Sequence, residues 1–292
     1  MSIHFFRFLS FAGLLVLSTI RLLATPQLSE LLIIQNDTIP IYQIILSDDM
    51  TDKLYHNIEN IKNEIDTTQF LLPATNNWRG YRGIWELEND SLFLVGLISN
   101  YGRPSLEQLF PDKTNKGKVL ADWYNSKLII PKGDFLRWDG VFYRTYTEEE
   151  HLTFIKGCVA SRKKVHNYID LPKGIDRHTK NIFTSPQDTI VKVIFNHIVS
   201  RETDWNALDN RYWQGIEDDY TITIGANGRV VSVKDGLDER TRVTRFLKRR
   251  LRGLQFDIIK FNGNPFQETI LLSIELNNDS NQLELFNYYG DI

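Results

Sequence analysis

Apolar and polar positions near the start of the chain follow first a strand pattern and then a helix pattern. Residues 31–34 and 39–46 are rich in β-branched and large apolar side chains and flank a run of turn formers, which predicts a hairpin. Across residues 49–67 the apolar positions recur every three or four residues. This spacing predicts an amphipathic helix with Asp48 or Asp49 as its amino-terminal cap.

Three further hairpins are predicted in the first half of the chain. Their strand pairs are 81–87 with 92–98, 120–124 with 127–130, and 142–146 with 152–155. In the first of them, Ile84 and Leu87 are expected on the face opposite Trp85 and Glu86. Short strands joined by short turns are typical of antiparallel sheets. Residues 25–165 are therefore predicted to form a mainly antiparallel β module with one early helix.

The last third of the chain mixes both patterns. Its predicted elements are a helix with an apolar stripe at 190–198, strands at 220–224 and 229–233 around a glycine-containing turn, a helix at 239–254, and a last strand pair at 256–261 and 269–276. Residues 166–186 hold two prolines and little periodicity, and we assign them to the connection between domains. The fold class is thus α+β, with a small second domain at 187–277 and a tail at 278–292.

The second domain carries residues that resemble a known family. They are the strand and glycine turn at 222–230, the aromatic Phe256 that closes the helix, and the turn 260–265, which ends in Asn-Gly-Asn-Pro. This pattern resembles the carboxy-terminal domain of the TonB energy-transducer family over residues 187–277. The resemblance implies a periplasmic domain that binds an extended peptide along its final strand, here Thr269–Leu276. The tail after this strand is an alternative occupant of the same edge.

The family pattern is not complete in this chain. The proline that usually follows the helix aromatic is replaced by Asp257-Ile258, and the whole chain has only 9 prolines, so it has no long proline-rich spacer. The first module resembles, at residues 77–86 and 121–124, uncharacterised exported proteins of the Bacteroidetes group, and this resemblance implies no function. We therefore expect the fold and the periplasmic location of the TonB family for this domain, and energy transduction remains an alternative.

The amino terminus has the order of a secretory signal. Arg7 precedes the apolar run 8–20, and Ala24 is a small residue at the expected processing position, which predicts a signal peptide at 1–24. The run of 13 residues is shorter than the roughly 20 that cross a bilayer. A retained anchor facing the periplasm is the alternative. A single cysteine, which excludes an internal disulfide, fits a bacterial periplasm.

Charge and motif content indicate no nucleic acid partner and no enzyme. The net charge is −3, and removal of the two arginines in residues 1–24 makes it −5. Ser161 and Lys164 match a Ser-x-x-Lys pattern without its companion motifs, and the six histidines are scattered. Cys158 is interpreted as a small buried thiol rather than a thiolate paired with His166. No catalytic, metal or cofactor site is predicted, and His197 is expected to be a hydrogen-bonded boundary residue.

Two features are candidates for binding a partner. The first is the cluster Trp78, Arg79, Tyr81, Arg82 and Trp85, of which the first four are the candidate contacts, since Trp, Tyr and Arg dominate binding hot spots. The alternative is that its aromatic rings pack in the core. The second candidate is the predicted helix at 239–253, whose net charge is +6 and whose candidate contacts are Arg245, Arg249 and Arg252. The alternative is a solvated face that is balanced by the acidic residues 217–219.

The sequence therefore predicts an exported, non-enzymatic interaction protein of the bacterial envelope. Its expected partner is an envelope protein or a cell-wall component, and its expected contact with the membrane is limited to the signal or anchor. One alternative is an envelope hydrolase with catalytic groups from separated loops, for which a pocket of Asp or Glu pairs with unusual ionisation would be evidence. The other is an atypical TonB-type transducer component.

Overall fold

The computed structural model describes residues 27–138, 143–178, 186–203, 205, 218–236, 241–277, 280 and 282–285. The predicted signal 1–24 lies outside the described residues, as do Glu217, the first residues of the predicted basic helix and most of the tail. Among the helices of the described residues, none has the length and apolar character that crossing a bilayer requires.

Strands dominate the first module. They are β1 Glu30–Ile34, β2 Asp37–Ile41, β3 Tyr81–Glu88, β4 Ser91–Ser99, β5 Thr114–Asn115, β6 Lys118–Leu120, β7 Lys127–Pro131, β8 Phe135–Trp138, β9 Arg144–Tyr146, β10 Glu148–Ile155 and β11 Cys158–His166. The helices are α1 Asp48–Ile61 and α2 Leu106–Leu109, with a short 3₁₀ turn at Thr75–Asn77.

One sheet with the order β2-β1-β3-β4-β11-β10-β7 organises this module, and β6 joins it beside β4. β1 and β3 pair in parallel, and the other pairs are antiparallel. Residues of the two end strands, β2 and β7, approach within 8 Å between Cα atoms, so the sheet curls around its core. Helix α1 contributes Met50, Leu54 and Ile58 to that core.

The first two predicted hairpins and the early helix are confirmed. β1 turns into β2 at Gln35-Asn36, and β3 into β4 at Asn89-Asp90, with positive φ at all four residues. The cap of α1 is Ser47, whose Oγ accepts the amide of Met50, and not Asp48 or Asp49. A serine hydroxyl one residue before two acidic residues caps the helix equally well, and the sequence does not separate these possibilities.

The other two predicted hairpins are wrong. β6 pairs with β4 and β5, while β7 pairs with β10. β9 pairs with β8, while β10 forms a long hairpin with β11 through Lys156-Gly157. β11 was not predicted because its sequence is mostly polar and has no apolar stripe. Opposite charges across the pair, such as Glu150 facing Lys164, stabilise it in place of apolar contacts.

The buried side of β3 also differs from the prediction. Tyr81, Gly83 and Trp85 point into the core, whereas Ile84 is only half-buried. The β3–β4 register shifts between Ile84 and Trp85. The extra residue at this shift, Val95, lies in β4, and β3 itself keeps period-two alternation. Alternation alone does not show which of the two faces of a strand is buried.

The second module has helices and an antiparallel sheet of its own. Its elements are α3 Pro186–Val199, β13 Asp218–Ile224, β14 Val230–Asp235, α4 Arg242–Leu251, β15 Ile258–Phe261, β16 Asn264–Pro265, β17 Glu268–Asn277 and β18 Gln282–Leu285, and β12 Tyr168–Ile169 precedes them. The sheet order is β14-β13-β17-β18. The turn before β14 requires Gly228, which has φ +73°, because a Cβ there would lie 2.0 Å from the Phe256 carbonyl oxygen.

The predicted pairing of the last two strands is wrong. β15 pairs with β12 and β16, whereas β17 lies between β13 and β18. The tail therefore supplies a strand, which covers β17 from Ile274 to Asn277. The edge expected at Thr269–Leu276 is thus already paired along its last part.

The two modules meet at a seam within residues 166–178, the described part of the predicted connection. Arg177 is fully buried there, and it shares the carboxylate of Glu268 on β17 with Arg137 on β8. Arg137 donates to Glu268 through Nε at 3.1 Å and through a terminal nitrogen at 3.2 Å. Burial raises the pKa of Glu268, but the two guanidinium groups outweigh this and hold it below its usual value. A buried ion triad therefore joins the modules.

The architecture is accordingly mixed α+β and rich in strands, with several antiparallel sheets. Each module has its own hydrophobic core, and the predicted fold class holds at this level.

Candidate functional site

The aromatic and arginine cluster is largely part of the core, which corrects its assignment as a binding patch. Arg79 is 5% exposed and forms an ion pair with buried Glu30. Its other terminal nitrogen donates to the Leu28 carbonyl at 3.0 Å, and its guanidinium lies 5.3 Å from the centroid of the buried Tyr81 ring. Neither side chain is available to a partner in this arrangement.

Glu30 explains why this arginine is buried. Its carboxylate also accepts the Gly83 amide at 2.7 Å and the Trp85 indole N–H at 2.9 Å. Burial raises the pKa of Glu30, and these donors and Arg79 oppose the rise. Arg82 is half-buried and donates to the carbonyl and the hydroxyl of Ser29. Of the four predicted residues only Trp78 is exposed, at 66%.

The basic helix presents its cations to solvent. Val243, Thr244, Leu247 and Leu251 fix one side of α4 in the second core. The exposed side chains are all cationic: Arg242, Arg245, Lys248, Arg249 and Arg252. Spacings of three and four residues place them on one helical stripe. The structure thus brings the predicted Arg245, Arg249 and Arg252 together on one surface, called here the basic face.

No described carboxylate neutralises the basic face. Residues 241–256 contain no Asp or Glu, and no ion pair within the described residues involves α4. Asp219 is one of the acidic residues that were considered as counter-charges for the basic helix, and it accepts a hydrogen bond from Ser273 instead. Glu217 lies outside the described residues.

Arg250 differs from the five cations of the basic face. It donates to the Ile198 carbonyl at 3.1 Å and to the Arg201 carbonyl at 2.8 Å, which satisfies the carboxyl end of α3. His197 Nε2 lies 3.2 Å from the Arg250 carbonyl, as expected for a hydrogen-bonded boundary residue. The α3–α4 contact therefore uses Arg250 and leaves the other five cations for solvent.

A cavity of about 500 Å³ at the seam is a candidate site that the sequence analysis missed. Both modules and the segment between them line it, with Glu148 and His166 from one side and Asp257 from the other. Asp257 accepts the Tyr168 hydroxyl at 2.6 Å and the Leu171 amide at 2.9 Å, so both carboxylate oxygens have internal donors.

The cavity also holds an acid–imidazole pair. His178 Nδ1 lies 2.6 Å from Asp176 Oδ1, and the His178 ring packs against the Tyr168 ring with centroids 4.1 Å apart and a tilt of 45°. Burial raises the pKa of Asp176, but hydrogen bonds from His178 outweigh it and leave the pKa lowered. Burial and the hydrogen bond to Asp257 raise the pKa of Tyr168 well above its usual value. A carboxylate-oriented imidazole of this kind can act as a general base.

This cavity was missed because six of its lining residues fall in the segment assigned as a connection. Tyr168, Asp176 and His178 have no periodic spacing, and Asp257, which accepts from Tyr168, lies about 90 residues further along the chain than that tyrosine. The pairing of β12 with β15 and the bridge between Ile175 and Phe256 bring the two segments together. Among the described residues, no group of three or more His, Cys, Asp or Glu side chains is arranged to hold a metal ion.

Cys158 is exposed, which corrects its interpretation as a buried thiol. Cys158 and His166 are the two ends of β11, and the seven residues between them hold their Cα atoms roughly 26 Å apart. They cannot form a thiolate pair. Ser161 and Lys164 lie on the same strand and are both exposed.

Comparison with known proteins gives no relative: no protein-family model, no curated protein and no solved structure matches the chain.

Proposed function

We propose that this chain is an exported, non-enzymatic interaction protein of the bacterial envelope, and that it binds an anionic envelope protein or cell-wall polymer through the basic face of α4. The observation that carries the proposal is the set of five exposed cations on one stripe, which no described carboxylate neutralises. Such a surface raises the local concentration of anions and accelerates their encounter.

The basic face is also well prepared for binding. The buried side of α4 is packed in the second core, and Thr241 Oγ1 caps the helix by accepting the Thr244 amide at 3.0 Å. The backbone that carries the cations therefore loses little conformational freedom on binding. From Arg242 to Arg252 the stripe extends over about 15 Å, which suits a partner with repeated anionic groups.

The TonB-like order of elements in residues 187–277 supports the envelope location within this proposal. In this part of the chain a helix, two strands and a helix are followed by β15, β16 and the long strand β17, an order that resembles that of the family. Peptide binding along Thr269–Leu276, as in that family, would require displacement of β18 from Ile274 to Asn277. For this reason we place the main contact on the basic face and keep energy transduction as an alternative that requires a retained anchor.

Reversal of three charges on the basic face tests the proposal. We expect Arg245→Glu/Arg249→Glu/Arg252→Glu to weaken binding to purified cell-wall polymer or envelope extract by about 10- to 100-fold, since each exposed contact contributes up to about 1 kcal/mol. The measurement is sedimentation or affinity capture at two salt concentrations, and the binding of the unchanged chain should fall as salt rises.

The matched control is Lys53→Glu/Lys127→Glu/Lys163→Glu, which changes the net charge equally at three exposed lysines of the first module. Binding that drops by the same factor in this control would show a nonspecific charge effect and count against the basic face.

The seam cavity favours a second candidate, an envelope hydrolase in which His178, oriented by Asp176, activates a water molecule. In that case the full chain releases soluble products from purified envelope material. His178→Asn abolishes the release, and the charge reversal on α4 leaves the turnover of a soluble fragment unchanged. Equal release by the full chain and by His178→Asn would remove this candidate.

A further inference from the structure

Large apolar side chains are exposed together on one side of the first module. They are Tyr55, Phe70, Leu72, Trp78 and Tyr101, each between 44% and 71% exposed, and we call this set the aromatic surface. Single exposed apolar residues are normal on proteins, but a contiguous group of this kind marks an interaction site.

Hydrogen bonds hold the three segments that carry these side chains against one another. The Tyr55 hydroxyl of α1 donates to the Arg79 carbonyl, next to Trp78. The Leu71 amide, between Phe70 and Leu72, donates to the Ser99 carbonyl at 2.9 Å, close to Tyr101. The segments that carry the aromatic surface, namely α1, the loop before β3 and the turn after β4, are therefore direct neighbours.

The chain enters the described structure beside this surface. The Gln27 side chain donates to the Thr75 carbonyl at 3.1 Å, and the Leu28 amide to the Asn76 carbonyl at 2.7 Å, two residues before Trp78. Residues 1–26 precede this point, and within them the run 8–20 is almost wholly apolar. Any membrane that receives this run lies close to the aromatic surface, because only six residues separate Ile20 from Gln27.

We propose that, in a chain that retains residues 1–24, the aromatic surface rests on the headgroup region of the lipid bilayer that receives the apolar residues 8–20. Trp and Tyr are the side chains that concentrate at this depth, since their rings are apolar at one end and polar at the other. The cations near this surface have acidic neighbours, since Lys62 is paired with Glu59 and the exposed Arg103 lies beside Asp66. Binding at this surface therefore depends on the aromatic rings and not on the basic face of α4.

A fluorescent label on the aromatic surface tests this contact in the full chain. In a Cys158→Ser background, Trp78→Cys and, separately, Leu72→Cys carry an environment-sensitive fluorophore, and Phe261→Cys on β15 is the control site, which is also exposed. The chains are mixed with vesicles of phosphatidylcholine alone, with and without bromine on the lipid tails. We expect about twofold quenching by the brominated lipid at positions 72 and 78 and little at position 261, as for residues at headgroup depth.

Two results would overturn the proposal. One is the same degree of quenching at all three positions, or no quenching at any of them. The other is a label at position 78 that is shielded from aqueous iodide and yet unquenched by brominated lipid, which would assign the surface to contact with protein. Quenching that persists at high salt and in the α4 charge-reversal variant keeps this contact distinct from the basic face. Two label sites that are both exposed guard against a single variant that fails to fold.

Discussion

Glu268→Gln is expected to lower the free energy of unfolding by about 3–5 kcal/mol, because it removes the negative charge that the buried Arg137 and Arg177 share. The amide keeps the shape of the carboxylate but can accept from the two guanidinium groups only through one oxygen. Urea unfolding followed by circular dichroism measures the change. The control is Glu284→Gln on the neighbouring β18, where the side chain is exposed and a change within about 0.5 kcal/mol is expected.

The same carboxyl group predicts how stability depends on pH. Its folded-state pKa lies below the unfolded value of 4.5, so its contribution is present above about pH 4.5 and is lost as the pH falls through the folded-state pKa. Glu268→Gln removes this group, and the difference in stability between the two proteins should therefore shrink on acidification below about pH 4.5. A difference that is small at neutral pH, or that grows in acid, would contradict the assignment of the triad as the joint between the modules.

Local features of the fold could be predicted from the sequence, and long-range ones could not. The β1–β2 and β3–β4 hairpins, α1, α3 and the turn before β14 follow from nearby turn residues and periodic apolar positions. The β10–β11 hairpin was missed because its strands are stabilised by opposite charges and not by an apolar stripe. β7 pairs with β10 about 20 residues further on, and β15 pairs with β12 about 90 residues earlier, and local patterns contain no information about these two pairs.

Buried charges limited the prediction of candidate sites in the same way. Arg79 and Arg137 find their carboxylates 49 and 131 residues away, so in sequence they are indistinguishable from exposed cations. The basic helix was predictable because its charges lie within one helical stripe of adjacent turns. Only the structure shows that no described carboxylate neutralises these charges.

Arg79 was assigned to a binding surface from its residue type, whereas the structure buries it beside Glu30. Arg79→Met is expected to cost about 3–5 kcal/mol at neutral pH, since Glu30 stays buried and loses its only paired cation among the described residues. Thermal or urea unfolding measures this cost. Arg103→Met, at an exposed arginine, is the control and should change stability by less than about 1 kcal/mol.

The double variant Glu30→Gln/Arg79→Met separates the lost ion pair from lost packing. Without a buried charge it should be more stable than the sum of the single variants predicts, because the two side chains are coupled. The direction in which stability changes with pH is an independent test of the ion pair. Burial already raises the folded-state pKa of Glu30 above its unfolded value of 4.5, and removal of Arg79 raises it further.

A carboxyl group of this kind contributes most stability below its unfolded pKa, and the contribution is lost as the pH rises through the folded-state pKa. Acidification from about pH 7 to about pH 5 should therefore stabilise Arg79→Met relative to the double variant, because Glu30 takes up a proton and no longer requires a cation. If Arg79→Met were as stable as the unchanged chain at both pH values, the ion pair between Arg79 and Glu30 would contribute nothing to stability, and the buried carboxylate beside Trp85 would need another explanation.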